Sequence, residues 1–280
     1  TQTPPRLSVA VVGTGRVGSV LGAAFLRAGH VVQACTAVSE TSRLRADALL
    51  PGVPVVPVHE AVIGCDLVLL AVPDDVIAQL AAGLAATQAV APGTFVAHTS
   101  GRFGLEVLAP LTEQGCVALA LHPVMTFTGT SIDLARLSEC PFGVTAQPAM
   151  RPVAEAIAVE LGGDPIWIDQ DQRALYHAGL AFGANYMMTL VNESVTLLDL
   201  AGIESPQRVV TALFTAALDN ALRTGDQALT GPVSRGDAGT VSAHMAELAN
   251  RSPRNLGSII KRSEVQFHHE VTNQYLWKQF

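Results

Sequence analysis

The fold is decided by Val9-Ala-Val-Val-Gly-Thr-Gly-Arg-Val-Gly18, where an apolar, strand-like run leads directly into a glycine-rich turn and then into a helical segment. In this pattern Gly13 permits a tight turn, Gly15 lets the backbone approach a phosphate, and Gly18 lets helix and strand pack closely. A helix that begins here also offers free N–H groups to an anion. The stretch predicts a dinucleotide-binding turn, and a purely structural glycine turn is the alternative. The predicted cofactor contacts within it are Gly13, Thr14, Gly15, Arg16, Val17 and Gly18.

Short β-type runs alternate with helical segments from residue 7 to about residue 169. This alternation is typical of an α/β protein, here a doubly wound, mostly parallel Rossmann sheet. Beyond residue 169 the patterns are helical, so the sequence predicts a Rossmann-like domain over residues 1–169 and an all-helical C-terminal domain over residues 170–280. The predicted strands are 7–12, 30–35, 53–56, 66–72, 94–97, 116–121, 142–145 and 165–168, and the predicted helices include 74–86, 104–113, 152–161, 171–200, 206–223 and 240–250.

Composition narrows the class of protein. With 280 residues, 49% hydrophobic and 15% charged, the chain has enough apolar side chains for large cores. A formal net charge of -7 argues against a nucleic-acid binder. The apolar stretches are too short for a membrane span or signal peptide, so we expect no membrane partner. The four cysteines are widely spaced, which predicts reduced thiols in a cytoplasmic protein, with neither a disulfide framework nor a metal site; they are Cys35, Cys65, Cys116 and Cys140.

Residues 256–280 differ in composition from the rest of the chain. They lack alanine, and the only two lysines of the chain, Lys261 and Lys278, lie within them. An exchanging tail, an interface arm and a non-native extension all fit this shift. The central part of the chain therefore offers no lysine for catalysis.

The segment after the second predicted strand bears on the choice of nucleotide. NAD-binding folds usually carry an acidic residue about 20 residues after the glycine pattern, whereas here the end of the strand carries no acid. Hydroxyl and guanidinium groups can instead donate to a 2′-phosphate, which predicts NADP(H). The predicted contacts are Thr36, Ser39, Ser42 and Arg43, with Arg16 as a further cation and with Val72 and Pro73 beside the nicotinamide ribose. The alternative is that Ser39 and Ser42 cap a helix that begins near residue 41.

Polar side chains follow the next two strands, at the carboxyl edge where open α/β sheets bind ligands. His98 and Ser100 lie in His98-Thr-Ser-Gly-Arg102, and His122 lies in His122-Pro-Val-Met-Thr126. We expect these three side chains to contact a substrate. The alternative is that each histidine is hydrogen-bonded within its loop and holds the end of a strand.

The long predicted helix carries two polar residues on one stripe. His177 and Asn185 are separated by eight residues, which rotates by only about 80° and spans roughly 12 Å. The pair could line a pocket for a small substrate, with His177 as the acid and Asn185 as the group that orients a carbonyl oxygen. The alternative is that His177 pairs with Asp169 or Asp171 at the start of the helix.

A second glycine-dense turn opens the last helix, in Gly231-Pro-Val-Ser-Arg-Gly-Asp237. Arg235 is the candidate for binding a substrate carboxylate, because a guanidinium offers two parallel donors. Asp237 fits better as the cap of the following helix, with Thr240 in its first turn. His244 lies one turn further, and with Thr240 and Asp237 it completes the predicted substrate-contacting residues of this region.

The order of these motifs resembles a family that joins a Rossmann-like domain to a dimer-forming helical domain. The family is related to ketopantoate reductase, pyrroline-5-carboxylate reductase, prephenate dehydrogenase and the 6-phosphogluconate and β-hydroxyacid dehydrogenases. The resemblance extends over residues 7–250, with the most particular match at 231–244. It implies an NADP(H)-dependent oxidoreductase that acts as a homodimer. Ketopantoate reductase and β-hydroxyacid dehydrogenases carry a lysine near the position of His177, so the catalytic group differs here.

These observations favour NADPH-dependent reduction of a small carboxylated ketone, with a ketopantoate-like 2-oxo acid as the leading candidate. The proposed roles are acid for His177, orienter for Asn185 and carboxylate clamp for Arg235. A prephenate-like dehydrogenase and an imine reductase are the enzymatic alternatives. A non-catalytic NADP(H)-binding sensor is the alternative from another functional class.

Overall fold

The computed structural model describes residues 6–232 and 234–252. The tail predicted at 256–280, with Lys261 and Lys278, lies outside the described residues. The chain divides into two compact units at the Ala181–Phe182 bond. The domain boundary placed after residue 169 from the sequence stays a prediction.

A seven-stranded sheet forms the centre of the first unit, in the order β2-β1-β3-β4-β5-β6-β7. The β5–β6 pair is antiparallel and every other pair is parallel. The sheet confirms the predicted doubly wound, mostly parallel fold. The order reverses at β1, and the carboxyl edge beside such a switch point is where open α/β sheets bind ligands. The strands are β1 Ser8–Val12, β2 Val31–Cys35, β3 Leu67–Leu70, β4 Phe95–His98, β5 Val117–Pro123, β6 Pro141–Ala146 and β7 Asp164–Trp167.

Ten α-helices connect and follow these strands in the described residues. They are α1 Arg16–Arg27, α2 Glu40–Leu49, α3 Val58–Ala61, α4 Asp74–Ala86, α5 Ala109–Thr112, α6 Ile132–Arg136, α7 Arg151–Glu160, α8 Arg173–Leu200, α9 Pro206–Thr224 and α10 Ala238–Arg251. Helix α4 has the predicted bounds, and α8, α9 and α10 lie close to them.

Two predicted elements are wrong, and proline explains both. Residues 53–56 form one isolated bridge, Cys35 to Val55, rather than a strand. Pro54 and Pro57 flank that bridge, and proline cannot donate to a ladder. The helix predicted at 104–113 is instead a 3₁₀ turn followed by the short helix α5. Pro110 lies in the first turn of α5, because its ring and missing N–H prevent a helix from continuing through it.

The central strands are buried on both faces, and successive side chains of each strand point to opposite sides of the sheet. Along β1, Val9 and Val11 join one apolar cluster, which includes side chains of α1 and α7. Ala10 and Val12 join the other cluster, which includes side chains of α4. This double coverage explains why the strands read as nearly continuous apolar runs.

The second unit contains the rest of α8 together with α9 and α10. Val210 of α9 is buried, but large apolar side chains of the same helix are exposed, Leu213 by 64% and Leu222 by 80%. Phe182 and Met188 of α8 are exposed as well. Within the described residues, no helix is long and apolar enough to cross a membrane.

Candidate active site

The glycine turn connects β1 to α1 at the carboxyl edge of the sheet. Gly13 has φ +99°, and a Cβ there would lie 2.6 Å from the carbonyl oxygen of Ala71. A Cβ on Gly18 would overlap the carbonyl oxygen of Gly13 and lie 2.8 Å from Cβ of Ala71. Around Gly15, by contrast, a Cβ would meet nothing within 4 Å. The first and third glycines are thus required by packing, and the second borders open space where a ligand backbone can approach.

Threonine side chains hold this turn against the end of β2. The backbone N–H of Gly13 donates to Oγ1 of Thr36 at 2.9 Å. Oγ1 of Thr14, which is fully buried, donates to the carbonyl oxygens of Thr36 and Ser42. Both hydroxyls therefore shape the turn itself, while Arg16 and Val17 begin α1 beside it.

Ser39 and Ser42 form the capping box of α2. Oγ of Ser39 accepts from the N–H of Ser42 at 3.1 Å, and Oγ of Ser42 accepts from the N–H of Ser39 at 3.0 Å. The capping alternative considered from the sequence therefore describes what these hydroxyls do. Arg43, in the first turn of the same helix, is exposed.

Arg45 is a cation that the sequence reasoning did not single out. A Cβ on Gly129 would lie 2.7 Å from Nε of Arg45 and 3.1 Å from Cγ of Arg16, so both arginines pack against the same loop residue. That loop, between β5 and α6, is fixed by Asp133, whose buried carboxylate accepts from the N–H groups of Thr128 and Gly129 at 2.8 Å. The sequence signal that could have identified Arg45 is its position two residues after Arg43, in the same turn of α2.

The carboxylate of Asp133 stays ionised although it is buried. Burial alone would raise its pKa, but the hydrogen bonds from Gly129 and Thr128 outweigh burial and lower the pKa of Asp133. Arg136 adds an ion pair at 3.7 Å. The loop beside Arg16 and Arg45 is therefore held in place by a charged group.

Val72 and Pro73 follow β3 on the side of the glycine turn. A Cβ on Gly13 would lie 3.0 Å from Cγ1 of Val72, so the two segments are in contact. Pro73 caps α4 and is exposed.

His98 ends β4 with both ring nitrogens bound to the backbone. Nε2 lies 2.8 Å from the carbonyl oxygen of Gly104, and Nδ1 accepts from the N–H of Ser100 at 3.2 Å. The ring is fully buried, and burial lowers the pKa of His98 to about 4. Ser100 is buried too, and its Oγ accepts from the N–H of Phe103. In this arrangement both side chains stabilise the loop. For His98 this agrees with the alternative that the ring is hydrogen-bonded within its loop and holds the end of a strand.

His122, by contrast, makes its contacts with side chains of α8. Its Nδ1 lies 2.8 Å from the phenol oxygen of Tyr176, and its ring meets that of His177 edge to face with centroids 5.8 Å apart. Gly101 lies against both histidines, because a Cβ there would be 2.5 Å from Cδ2 of His177 and 3.0 Å from Nε2 of His122. The structure therefore brings His122 and His177 together and adds Tyr176 between them and β6.

Arg173 anchors this cluster from the first turn of α8. It is fully buried, and its guanidinium donates to the carbonyl oxygens of Ser100 and Gly143 and to Oγ1 of Thr145. Its Nε has no hydrogen-bond partner in the described part of the chain, and no carboxylate there lies within ion-pair distance of it. Burial lowers the pKa of Arg173 to about 10, which leaves it charged at neutral pH. A cation in the first turn of a helix opposes the helix dipole, and that was the sequence signal for its role.

The cluster of Arg173, Tyr176, His177 and His122 includes a phenol and an imidazole whose pKa values are shifted beside one buried guanidinium. Burial, and then the charges of Arg173, His177 and His98, lower the pKa of His122 to about 4. Burial raises the pKa of Tyr176 to about 12, although Arg173 opposes the shift. At neutral pH the imidazole of His122 and the phenol of Tyr176 are both uncharged.

The remaining predicted residues lie in the second unit. Asn185 is exposed on α8. Arg235 is exposed before the start of α10, and His244 is exposed on α10. Asp237 is the cap of α10, as expected: its carboxylate accepts from the N–H of Thr240 at 3.1 Å and from its hydroxyl at 2.7 Å. These hydrogen bonds lower the pKa of Asp237, and the charges of Arg235 and His244 act in the same direction.

The four cysteines are free, buried thiols. Burial raises the pKa of Cys35 and of Cys65 to about 11, and it raises the pKa of Cys116 and of Cys140 as well. Among the described residues, no group of three or more histidine, cysteine or acidic side chains could hold a metal ion.

Comparison with known proteins identifies both parts of the chain. Residues 1–123 match a Rossmann-like domain, and residues 140–259 match a domain of unknown function, DUF2520. The chain thus joins these two domains, which confirms the resemblance drawn from the order of the motifs. No curated protein sequence matches it.

Solved structures share the fold over nearly the whole chain. A candidate NADP oxidoreductase from Bacteroides fragilis is 20% identical, with a TM-score of 0.78 over 93% of this chain and 98% of that one. A protein from Thermotoga maritima is also 20% identical, with a TM-score of 0.70 over 94% and 98%. An imine reductase variant from Myxococcus stipitatus, in complex with NAD+, is 16% identical, with a TM-score of 0.63 over 95% and 96%.

Proposed function

We propose that this protein is an NADP(H)-dependent oxidoreductase that reduces a small carboxylated carbonyl compound. The observation that carries the proposal is the glycine turn, in which packing closes the positions of Gly13 and Gly18 and leaves Gly15 beside open space. A pyrophosphate fits there, next to the first N–H groups of α1. The bound nicotinamide would supply a hydride. The solved structures of similar fold include one described as a candidate NADP oxidoreductase and one with NAD+.

The preference for NADP(H) rests on the arginines near the turn. Arg16, Arg43 and Arg45 bring three positive charges to α1 and α2, and a guanidinium binds a phosphate with two parallel donors. Since Ser39 and Ser42 already cap α2, the arginines are the groups we assign to the 2′-phosphate.

The reaction also needs a proton donor and substrate contacts. In this proposal the donor comes from the cluster around His122, with His177 as the sequence-based choice and Tyr176 as a second group of the same cluster. Asn185 and Arg235 would orient a carbonyl and bind a carboxylate. A 2-oxo acid of the ketopantoate type meets these requirements.

We also propose that the helical unit pairs with a second copy of the chain. Leu213 and Leu222 leave large apolar surfaces in water, and burying one such side chain is worth about 1.5 to 3 kcal/mol. Val209 and Leu213 are one turn apart on α9 and both are exposed, so they share a face. Exposed apolar faces mark contact surfaces, and the family resemblance implies a homodimer.

The proposal is tested by nucleotide binding and turnover with purified protein. We expect NADPH to bind at least about tenfold more tightly than NADH, a difference of about 1.4 kcal/mol. Arg43→Glu should remove that preference, whereas Arg27→Gln at the far end of α1 should keep it. NADPH oxidation should occur with members of a panel of 2-oxo acids and cyclic imines.

The alternatives give different results in the same assays. Turnover that requires NADP⁺ and a prephenate-like acid would favour a dehydrogenase, and turnover of imines alone would favour an imine reductase. Binding of NADPH without turnover of any substrate would favour a sensor. Failure to bind either nucleotide would contradict the proposal.

A further inference from the structure

Tyr176 connects the buried cluster to a groove on the surface of the first unit. The groove has a volume of about 520 Å³ and is lined by side chains of β7 and α8, among them Trp167, Leu175 and Tyr176. The phenol oxygen of Tyr176 lies in the buried cluster, 2.8 Å from Nδ1 of His122. A groove of this volume can hold a small molecule, and a molecule bound there would contact the side chain of Tyr176.

Two glycines create the space that the phenol and the two imidazole rings occupy. A Cβ on Gly143 of β6 would overlap the phenol oxygen of Tyr176. A Cβ on Gly101 would press on the rings of His122 and His177. Because β5 and β6 pair in antiparallel register with His122 opposite Gly143, the histidine and this gap lie side by side. The backbone therefore fixes where the phenol oxygen can be.

Burial keeps the proton on the phenol of Tyr176, and the charge of Arg173 favours the phenolate that loss of the proton would leave. Arg173, on the same helix as Tyr176, is a buried cation that acts on both members of the pair. The other titratable groups that act on the pair are His177, His98 and Cys140. The neutral imidazole of His122 can carry its proton on Nδ1 and donate it to the phenol oxygen. That donor and the guanidinium would both stabilise a phenolate.

We propose that Tyr176, positioned by its hydrogen bond to His122, is the catalytic proton donor of this site, in place of His177. The inference rests on the proposed reductase function. His177 contacts the ring of His122 edge to face, and in this assignment it supports that ring. His122 is a positioning residue.

Reduction of a carbonyl substrate at this site requires both a hydride and the proton of Tyr176. The carbonyl carbon accepts a hydride, with its two electrons, from a reduced nicotinamide dinucleotide, and the C=O π bond breaks. The carbonyl oxygen takes the proton of Tyr176, so one C–H and one O–H bond form as the phenolic O–H bond breaks. The tyrosinate, held by His122, is reprotonated from water. The carbonyl is reduced and the nicotinamide is oxidised.

The first experiment compares variants in NADPH oxidation with a substrate that the wild type turns over. We expect Tyr176→Phe to lower kcat by about 10²- to 10⁴-fold, the usual contribution of a general acid, with KM within about threefold of wild type. Tyr186→Phe, the same change on a later turn of α8, should leave kcat unchanged. His177→Ala should lower kcat by less than about tenfold. The proposal would be overturned if Tyr176→Phe kept the wild-type kcat. It would also be overturned if His177→Ala lowered kcat by more than about tenfold.

The second experiment needs no cofactor or substrate. Long-range ¹H–¹⁵N NMR of the free protein reports the protonation and hydrogen bonding of each ring nitrogen of His122. We expect Tyr176→Phe to shift the Nδ1 signal of His122 and Tyr186→Phe to leave it in place. An unchanged Nδ1 signal in Tyr176→Phe would contradict the pairing on which the inference rests.

The two experiments separate this inference from the function it rests on. If the wild type turns over no substrate, the proposed reduction fails together with the donor role, and NMR still decides whether the pair exists. If the wild type is active and Tyr176→Phe is equally active, the reductase assignment stands and the inference alone fails.

Discussion

The sheet unit and the helical unit treat their apolar side chains differently. In the first, β1 buries its four apolar side chains, residues 9–12, on one face or the other, with helices on both sides. In the second, Val210 is buried while Leu213 and Leu222 of the same helix are largely exposed. Apolar burial is the main source of folding free energy. The first unit therefore supplies its own core, whereas the exposed leucines of the second find no such core among residues 182–232 and 234–252.

The sharpest test of the self-contained unit is its glycine turn. Gly18→Ala places a Cβ against backbone atoms of Gly13, so we expect a loss of roughly 3 kcal/mol or more in the free energy of unfolding and no NADP(H) binding. Gly15→Ala meets open space, so unfolding should change by less than about 0.5 kcal/mol while NADP(H) affinity falls at least about tenfold. Urea unfolding and nucleotide titration measure both. Equal destabilisation by the two variants would contradict the assigned packing.

Buried histidines should make the first unit sensitive to acid. The folded-state pKa of His98 and of His122 is about 4, below the unfolded value of about 6.5. The unfolded state therefore binds more protons between these values, and stability falls as pH drops from about 6.5 towards 4. By pH 4.5 we expect a loss of roughly 2 to 3 kcal/mol for each of the two histidines, or about 5 kcal/mol together.

Urea unfolding at a series of pH values, followed by circular dichroism, measures this loss. His98→Gln should have a shallower pH dependence than the wild type. His244→Gln serves as the matched control, because His244 is exposed in the helical unit. A pH-independent wild type above pH 4.5 would show that these rings are not held neutral.

A charged substitution on the exposed apolar surface of α9 tests the proposed pairing of two copies. Leu222→Glu on α9 should raise the dissociation constant of a dimer by about 100-fold or more, because each of two copies loses a buried leucine. Val38→Glu is the control, since Val38 is 97% exposed in the first unit. Light scattering over a range of concentrations distinguishes the two. A wild type that stays monomeric at high concentration would contradict the proposed pairing.

The smallest effect is expected at an exposed ion pair of the helical unit. Nε of Arg223 lies 2.9 Å from the carboxylate of Asp219, and both side chains are exposed. Pairs of this kind on a helix contribute about 0.3 to 0.5 kcal/mol. Arg223→Gln should therefore change the free energy of unfolding by no more than that, and less at 1 M salt. A loss above 1 kcal/mol would indicate an unrecognised contact.

Local patterns predict the fold better than they predict the site. The glycine spacing and the apolar runs specify the Rossmann sheet, because turn conformation and burial on two faces act on neighbouring residues. The antiparallel direction of β6 depends on distant contacts, and its sequence looks like that of any buried strand. Prolines decided the two elements that were predicted wrongly.

The two histidines illustrate why the site is harder to predict. His98 and His122 each follow a strand at the same edge, and the sequence treats them alike. The structure separates them, because the loop at Gly104 turns back onto His98 while His122 meets Tyr176 of α8. The partner of His122 lies 54 residues further along the chain. No local pattern encodes that approach.

The buried thiols have a practical consequence. Alkylating reagents need a reachable thiolate, and at neutral pH each of the four native cysteines is both enclosed and protonated. A single cysteine introduced at an exposed site such as Val38 would then be the one position that reacts. Site-specific fluorescent or spin labelling is therefore expected to work without first replacing the four native cysteines.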